Sequence, residues 1–259
     1  MSRNQRNLRM LGGILAAVLL LSCGIHSSRS AVQAGTPFAG PMQASVSSEV
    51  EFFAAALSEF LSDSREFTAS VSLRLPGLEG QAAPMAMAMS EGRIRLQRTG
   101  GGGDPFSGAA IVLEERKPMI VMLSSMKAWT EVPLEEIGAL VEGGADKLAA
   151  LERKLVGEEK VGEYETLKYL IHSKDEEDQG RQALVWKATR LAEMPIQFMM
   201  KEKDGRIRGV RLSNIVMKKP AETLFSPPEG WRKVESMNQL VQELMVQQLK
   251  RLMVSKFGI

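Results

Sequence analysis

From Phe67 to Met217 the apolar residues of this chain recur near every second position, a period that commits most of it to β-strands. Val71, Leu73 and Leu75 alternate with Ser72 and Arg74, and Met85, Met87 and Met89 alternate with Ala86 and Ala88. After Glu91-Gly92 turns the chain, Ile94 and Leu96 alternate with Arg93, Arg95 and Gln97. Successive strand side chains point to opposite faces, so this is a hairpin with one apolar and one polar face. Further strands are expected at Ala109–Arg116, Met119–Leu123, Ala128–Val132, Glu158–Val161, Tyr164–His172, Arg181–Ala188, Pro195–Lys201 and Arg206–Met217. Asp204-Gly205 predicts a tight hairpin between the last two. Ile207 is out of phase with Val210 and Leu212 across Gly209, which predicts a bulge there.

Helical spacing occurs before, within and after these strands. Ser48 and Glu51 have capping-box spacing, followed by Val50, Phe53, Ala54, Leu57, Phe60 and Leu61 on one face. Pro133 suits the first position of a second helix, with Leu134, Ile137, Leu140 and Val141 inward and a further turn or two through Leu151. Ser236 and Gln239 open a third, whose stripe runs Met237, Leu240, Val241, Leu244, Met245, Leu249, Leu252 and Met253. Its cations Lys250, Arg251 and Lys256 stand at the end that the helix dipole favours, and its length is about 30 Å. The expected fold is α+β, mainly β. It is a single curved antiparallel sheet or incomplete β-barrel of nine to eleven strands, with helices covering the concave face and a long C-terminal amphipathic helix.

The N-terminus carries an export pattern. Arg3, Arg6 and Arg9 precede an apolar run from Met10 to Leu21, which ends Leu20-Leu21-Ser22-Cys23. The run is shorter than the roughly 20 residues a spanning helix needs. Leu-Leu-Ser-Cys resembles the lipobox of bacterial lipoproteins, which implies a diacylated Cys23 as the first mature residue. The alternative is an ordinary signal with a chance cysteine, but Cys23 is the only cysteine of the chain and has no disulfide partner. Residues 1–22 contain three arginines and no acid, so 33 Lys+Arg against 31 Asp+Glu become 30 against 31 on cleavage. No nucleic-acid footprint remains. Gly24 stands where an aspartate would, by the same resemblance, retain a Gram-negative lipoprotein in the inner membrane. The implied location is the outer membrane, facing the periplasm. Residues 24–46 are rich in Ser, Ala, Gly, Pro and Gln and read as a tether. The organisation is thus signal peptide 1–22, lipidated cysteine and tether 23–46, sheet domain 47–235 and C-terminal helix 236–259.

Over residues 47–235 the order of elements resembles the LolA/LolB-like superfamily of lipoprotein carriers and receptors. The stretches that carry the resemblance are Lys117-Pro118-Met119 through Trp129-Thr130-Glu131-Val132-Pro133-Leu134, and Lys160-Val161-Gly162-Glu163-Tyr164 through Tyr169. Leu184-Val185-Trp186, Leu191-Ala192-Glu193-Met194-Pro195 and the closing Phe225-Ser226-Pro227-Pro228-Glu229-Gly230-Trp231 add to it. The resemblance implies an incomplete barrel with a greasy concave face lidded by helices, and acyl chains of a lipid or lipoprotein as ligand. The tail after Trp231 departs from the common pattern, and no motif singles out the arginine with which the soluble carriers latch their lid.

Methionine is enriched, with 16 in the chain. Its unbranched, polarizable side chain adapts to irregular apolar partners. Met85, Met87, Met89, Met122 and Met200 are taken in phase with Ile94, Leu96, Ile120, Trp186, Ile196 and Phe198, as the lining of a deformable cavity. The alternative is an ordinary core filled by helices. Phe106, in Asp104-Pro105-Phe106-Ser107-Gly108, either reaches a membrane or partner, or folds back onto the domain. Leu244, Met245 and Leu252 on the C-terminal stripe are candidates for membrane or partner contact, unless the stripe covers the sheet. No Cys/His cluster or nucleophile signature occurs, and Asp175-Glu176-Glu177-Asp178 reads as a solvated loop. The expectation is a binding protein without catalysis, metal or cofactor, in lipoprotein sorting or a related task. The alternative is an envelope interaction or sensor protein on the same scaffold, whose C-terminal helix binds a protein partner.

Overall fold

The period-two segments become one twelve-stranded sheet, seen in a computed structural model that describes residues 65–74, 84–100, 106–114, 117–133, 151–173, 182–201 and 205–257. Cys23, the signal and tether, the helical spacing through Leu61, the helix expected after Pro133 and the acidic run at 175–178 lie outside the described residues. The strands are β1 (Phe67–Arg74), β2 (Met85–Ser90), β3 (Arg93–Arg98), β4 (Ala110–Glu114), β5 (Met119–Leu123) and β6 (Ala128–Val132). Then come β7 (Leu151–Val161), β8 (Tyr164–Ser173), β9 (Gln182–Ala188), β10 (Met194–Lys201), β11 (Ile207–Val216) and β12 (Arg232–Lys233). One α-helix, α1 (Met237–Phe257), and two short 3-10 turns, Thr189–Leu191 and Glu222–Phe225, complete the described elements.

The spatial order is β12-β6-β5-β4-β3-β2-β1-β11-β10-β9-β8-β7. Two antiparallel meanders, β1–β6 and β7–β11, are thus joined along one seam where β1 pairs with β11. β12 and β7 are the two edges, so the sheet is open, and the fold is a mainly-β half-barrel. The hairpins follow local chemistry. Glu91 and Gly92 both take positive φ, 50° and 76°, the backbone that a two-residue turn between twisted strands requires. Ser90 then faces Arg93, and Lys201 faces Ile207 across the second predicted hairpin.

Three expectations need correction. The twelfth strand is β12, two residues parallel to β6 and too short to show a period. β7 begins at Leu151 and not at Glu158, because residues 152–156 and 158–160 are exposed on both faces of an edge strand. A strand solvated on both sides carries no apolar alternation to read. The third concerns Gly209, where the pairing with β1 and β10 runs through without a shift. Ile207 simply stays half-exposed near the strand start while Val210 and Leu212 turn inward. The irregularity comes later, between the Thr68 and Ser70 pairings, where Asn214 takes a φ of 51°.

Helix α1 starts as its sequence predicts. The Gln239 N–H donates to Ser236 Oγ at 3.2 Å, and the Gln239 side chain accepts from the Glu235 N–H at 3.2 Å. Just upstream, β12 ties the chain to β6. Arg232 N donates to Lys127 O at 2.9 Å, Val234 N to Trp129 O at 2.8 Å, and Thr130 Oγ1 to Val234 O at 3.0 Å. The helix is thereby aimed across one face of the sheet.

Candidate functional site

That face, the inner one, is built by alternation. Ala69, Met87, Leu96, Ile111 and Val121 stand opposite one another on β1 to β5. The next row is Phe67, Met89, Ile94 and Leu113, and on the other side of the seam Val185, Phe198 and Val210 face one another. With Met85, Met200, Met119 and Met194 they form one buried cluster, to which Val234, Leu240 and Leu244 also belong. Seven of the eleven expected lining residues are brought together here: Met85, Met87, Met89, Ile94, Leu96, Phe198 and Met200. All seven are under 5% exposed. Arg98, which sequence reasoning did not single out, shares their phase on β3 and is 3% exposed. Its place opposite Met85, at the end of an apolar row, is visible in the alternation Ile94, Leu96, Arg98.

The other four are placed elsewhere. Ile120 and Met122 lie on the outer face with Trp129, and Trp186 and Ile196 lie on the outer face with Ala188. In β10 the register shifts between Pro195 and Gln197, which breaks the alternation with Phe198 and turns Ile196 outward. In β5 and β9 the reason is composition. β5 reads Met-Ile-Val-Met-Leu and β9 reads Gln-Ala-Leu-Val-Trp, apolar on both faces, so composition does not choose a phase and register does. Val121 faces Ile111, and Val185 faces Phe198, which turns their neighbours outward.

The outer face has its own cover. Residues 217–231 return across β2 to β4 through a short 3-10 turn, Glu222–Phe225. Ala88 and Ala110 are small where this strap lies, and Phe225 packs on them with Val112 and Met122. Arg95 Nη1 donates to Leu224 O at 2.6 Å, and burial lowers the pKa of its guanidinium. Arg93 stacks over the Phe225 ring at 4.7 Å and pairs with Glu222 at 2.6 Å. Lys219 joins the group through Glu91 at 2.5 Å. Beside the strap, Thr68, Ser70, Ala86, Arg95, Gln97 and Asn214 line an open groove of about 290 Å³.

The hydrogen bond and charge of Arg93 hold the Glu222 carboxyl below its ordinary value of 4.5. A depressed carboxylate contributes stability above the unfolded pKa and loses it as pH falls through the folded one. The strap is therefore expected to loosen on acidification below about pH 4.5, and Glu222→Gln to remove that part of the acid sensitivity. Thermal unfolding between pH 7 and pH 3 checks this, with Glu222→Gln showing a shallower fall than the parent; parallel curves would contradict it.

The candidate contact residues divide. Phe106 is half-buried and packs against the inner cluster, so it folds back. Leu244 is corrected: at 4% exposure it faces the sheet one turn after Leu240, as the 3.6-residue period places it. Met245 is 51% exposed. The side chain of Leu252 lies outside the described residues. His172 sits on the edge hairpin, 3.3 Å from Glu152. Among the described residues no three His, Cys, Asp or Glu side chains are grouped to hold a metal ion.

No family model and no curated protein sequence matches the chain. Solved structures do resemble it, and they include a LolA superfamily member. An uncharacterised conserved protein from Thermus thermophilus aligns at 13% identity and a TM-score of 0.45, over 73% of this chain and 99% of that one. The LolA superfamily protein from Nitrosomonas europaea aligns at 13% identity and TM-score 0.31, over 63% and 90%. The Mycobacterium tuberculosis lipoprotein LppX aligns at 13% identity and TM-score 0.40, over 66% and 95%.

Proposed function

We propose that this chain is a lipid-anchored protein of the bacterial envelope that holds acyl chains of a lipid or lipoprotein against the inner face of its half-barrel. The carrying observation is the row of Met85, Met87 and Met89 set against Ile94, Leu96 and Ile111 in one apolar cluster. Strand cores are more often built from β-branched and aromatic residues. Methionines in that place give a surface that reshapes around a chain without fixed form. Each buried methylene contributes about 0.8 kcal/mol, so affinity follows chain length more than headgroup. The function is binding and not catalysis. Attachment is through an acylated Cys23, with residues 24–46 as tether and the outer membrane, facing the periplasm, as location. Handing lipoproteins on is the finer form of the same reading.

The test is lipid recovery. The full chain purified from membranes is expected to carry lipid that organic extraction releases and mass spectrometry identifies. Met87→Asp, which sets a carboxylate in the middle of the row, is expected to lose most of it, whereas Met87→Leu keeps it. A folded Met87→Asp protein that holds as much lipid as the parent would overturn the assignment of this face.

A further inference from the structure

Helix α1 leaves the sheet halfway along its length. Leu240 and Leu244 are buried in the inner cluster, and Gln247 Nε2 still reaches Ser125 O in the β5–β6 turn at 3.3 Å. From Met245 onward the described apolar side chains are exposed. Met245, Val246, Leu249, Met253 and Val254 stand at 51%, 49%, 60%, 57% and 58%. At 3.6 residues per turn the first four fall within an arc of about 100°. They make one apolar stripe, and Val254 flanks it. Lys250 is exposed beside it, Arg251 is exposed on the far side of the helix, Lys256 follows in sequence, and residues 244–259 contain no Asp or Glu.

We propose that this projecting end of α1 docks on an anionic lipid surface, lying in the interface with its stripe toward the acyl region and its cations among the headgroups. The charge pattern favours that occupant. A second copy would bring the same cations and no acid to the contact, whereas a bilayer with phosphatidylglycerol or a similar lipid offers the opposite charge. Lying on the membrane is the available mode, because no helix among the described residues is long and apolar enough to cross one. The placement is also suitable. The β5–β6 turn and the Phe106–Gly108 loop lie together beside the helix, joined by Ser124 Oγ donating to Gly108 O at 2.6 Å. The contact goes beyond acyl-chain holding on the inner face and needs neither that face nor Cys23.

The test uses the full chain with Cys23→Ser and Leu249→Cys, the new thiol carrying an environment-sensitive fluorophore. Vesicles of equal phosphatidylglycerol and phosphatidylcholine are expected to raise its emission severalfold and shift it to the blue. Phosphatidylcholine vesicles alone, or 0.5 M salt, are expected to weaken binding about tenfold or more, as screening removes the electrostatic part. The same label at Lys160→Cys on edge strand β7 is expected not to respond, and Lys250→Glu with Arg251→Glu, both at exposed sites, to abolish the response at position 249. No response at 249 to the anionic vesicles overturns the proposal. So does a response without vesicles that grows with protein concentration, which would seat a second copy on the stripe, or an equal response at 160. Lipid recovery from the inner face is a separate readout, so failure here leaves the acyl-chain reading standing.

Discussion

Phe198→Ala is expected to lower the unfolding free energy by about 3–5 kcal/mol, as deleting a buried aromatic ring does. Phe198 is 0% exposed and stands on β10 between Val185 of β9 and Val210 of β11. Its neighbours on both sides are strands held in ladders, so they close only partly on the space the ring leaves, and the cavity adds to the lost transfer energy. Urea unfolding followed by far-UV circular dichroism measures the effect as a lower midpoint at unchanged slope. A loss under about 1 kcal/mol would place the ring outside the packed centre.

Gly209→Ala is expected to destabilise as well, although alanine is ordinarily the better residue in a strand. A glycine replaced where the backbone allows it gains about 0.4–1 kcal/mol from the less flexible unfolded chain. Here a Cβ would meet the Phe198 carbonyl oxygen at 2.8 Å and the Met199 side chain at 3.2 Å. The methionine can move, but the oxygen belongs to the adjacent strand, and shifting it disturbs the β10–β11 ladder. Overpacking of this kind costs about 1–3 kcal/mol and outweighs the gain. Thermal unfolding checks the sign: a raised midpoint would show that the two strands separate more easily than their spacing implies. Gly209→Val is expected to be worse, since its branch adds to the same contact.

Most of the sheet was legible because its strands are amphipathic. Met-Ala-Met-Ala-Met and Arg-Ile-Arg-Leu-Gln name their faces outright, and Glu91-Gly92 names the turn between them. The alanines of the first also mark where the strap lies, a meaning that only the returning residues 217–231 supply. Legibility failed where a strand has two like faces. β5 and β9 are apolar on both, which put Ile120, Met122 and Trp186 on the wrong side, and β7 is solvated on both, which hid its first half. Helix α1 failed in a related way. Its apolar residues run so far round the axis that one stripe was read where there are two, an inward one through Leu240 and Leu244 and an outward one through Leu249 and Met253. Arg98 went unremarked because a charged residue at a strand end is ordinarily solvated, and here it is not.

The seam between β1 and β11 bears on how the molecule assembles. Within each meander neighbouring strands are joined in sequence, so those pairings close short loops and form early. Thr68 with Val216 and Arg74 with Gly209, by contrast, bring together segments from opposite ends of the domain. The slow step of folding is expected at this zipper, with substitutions on its two strands, Val71 and Leu212 foremost, slowing refolding most.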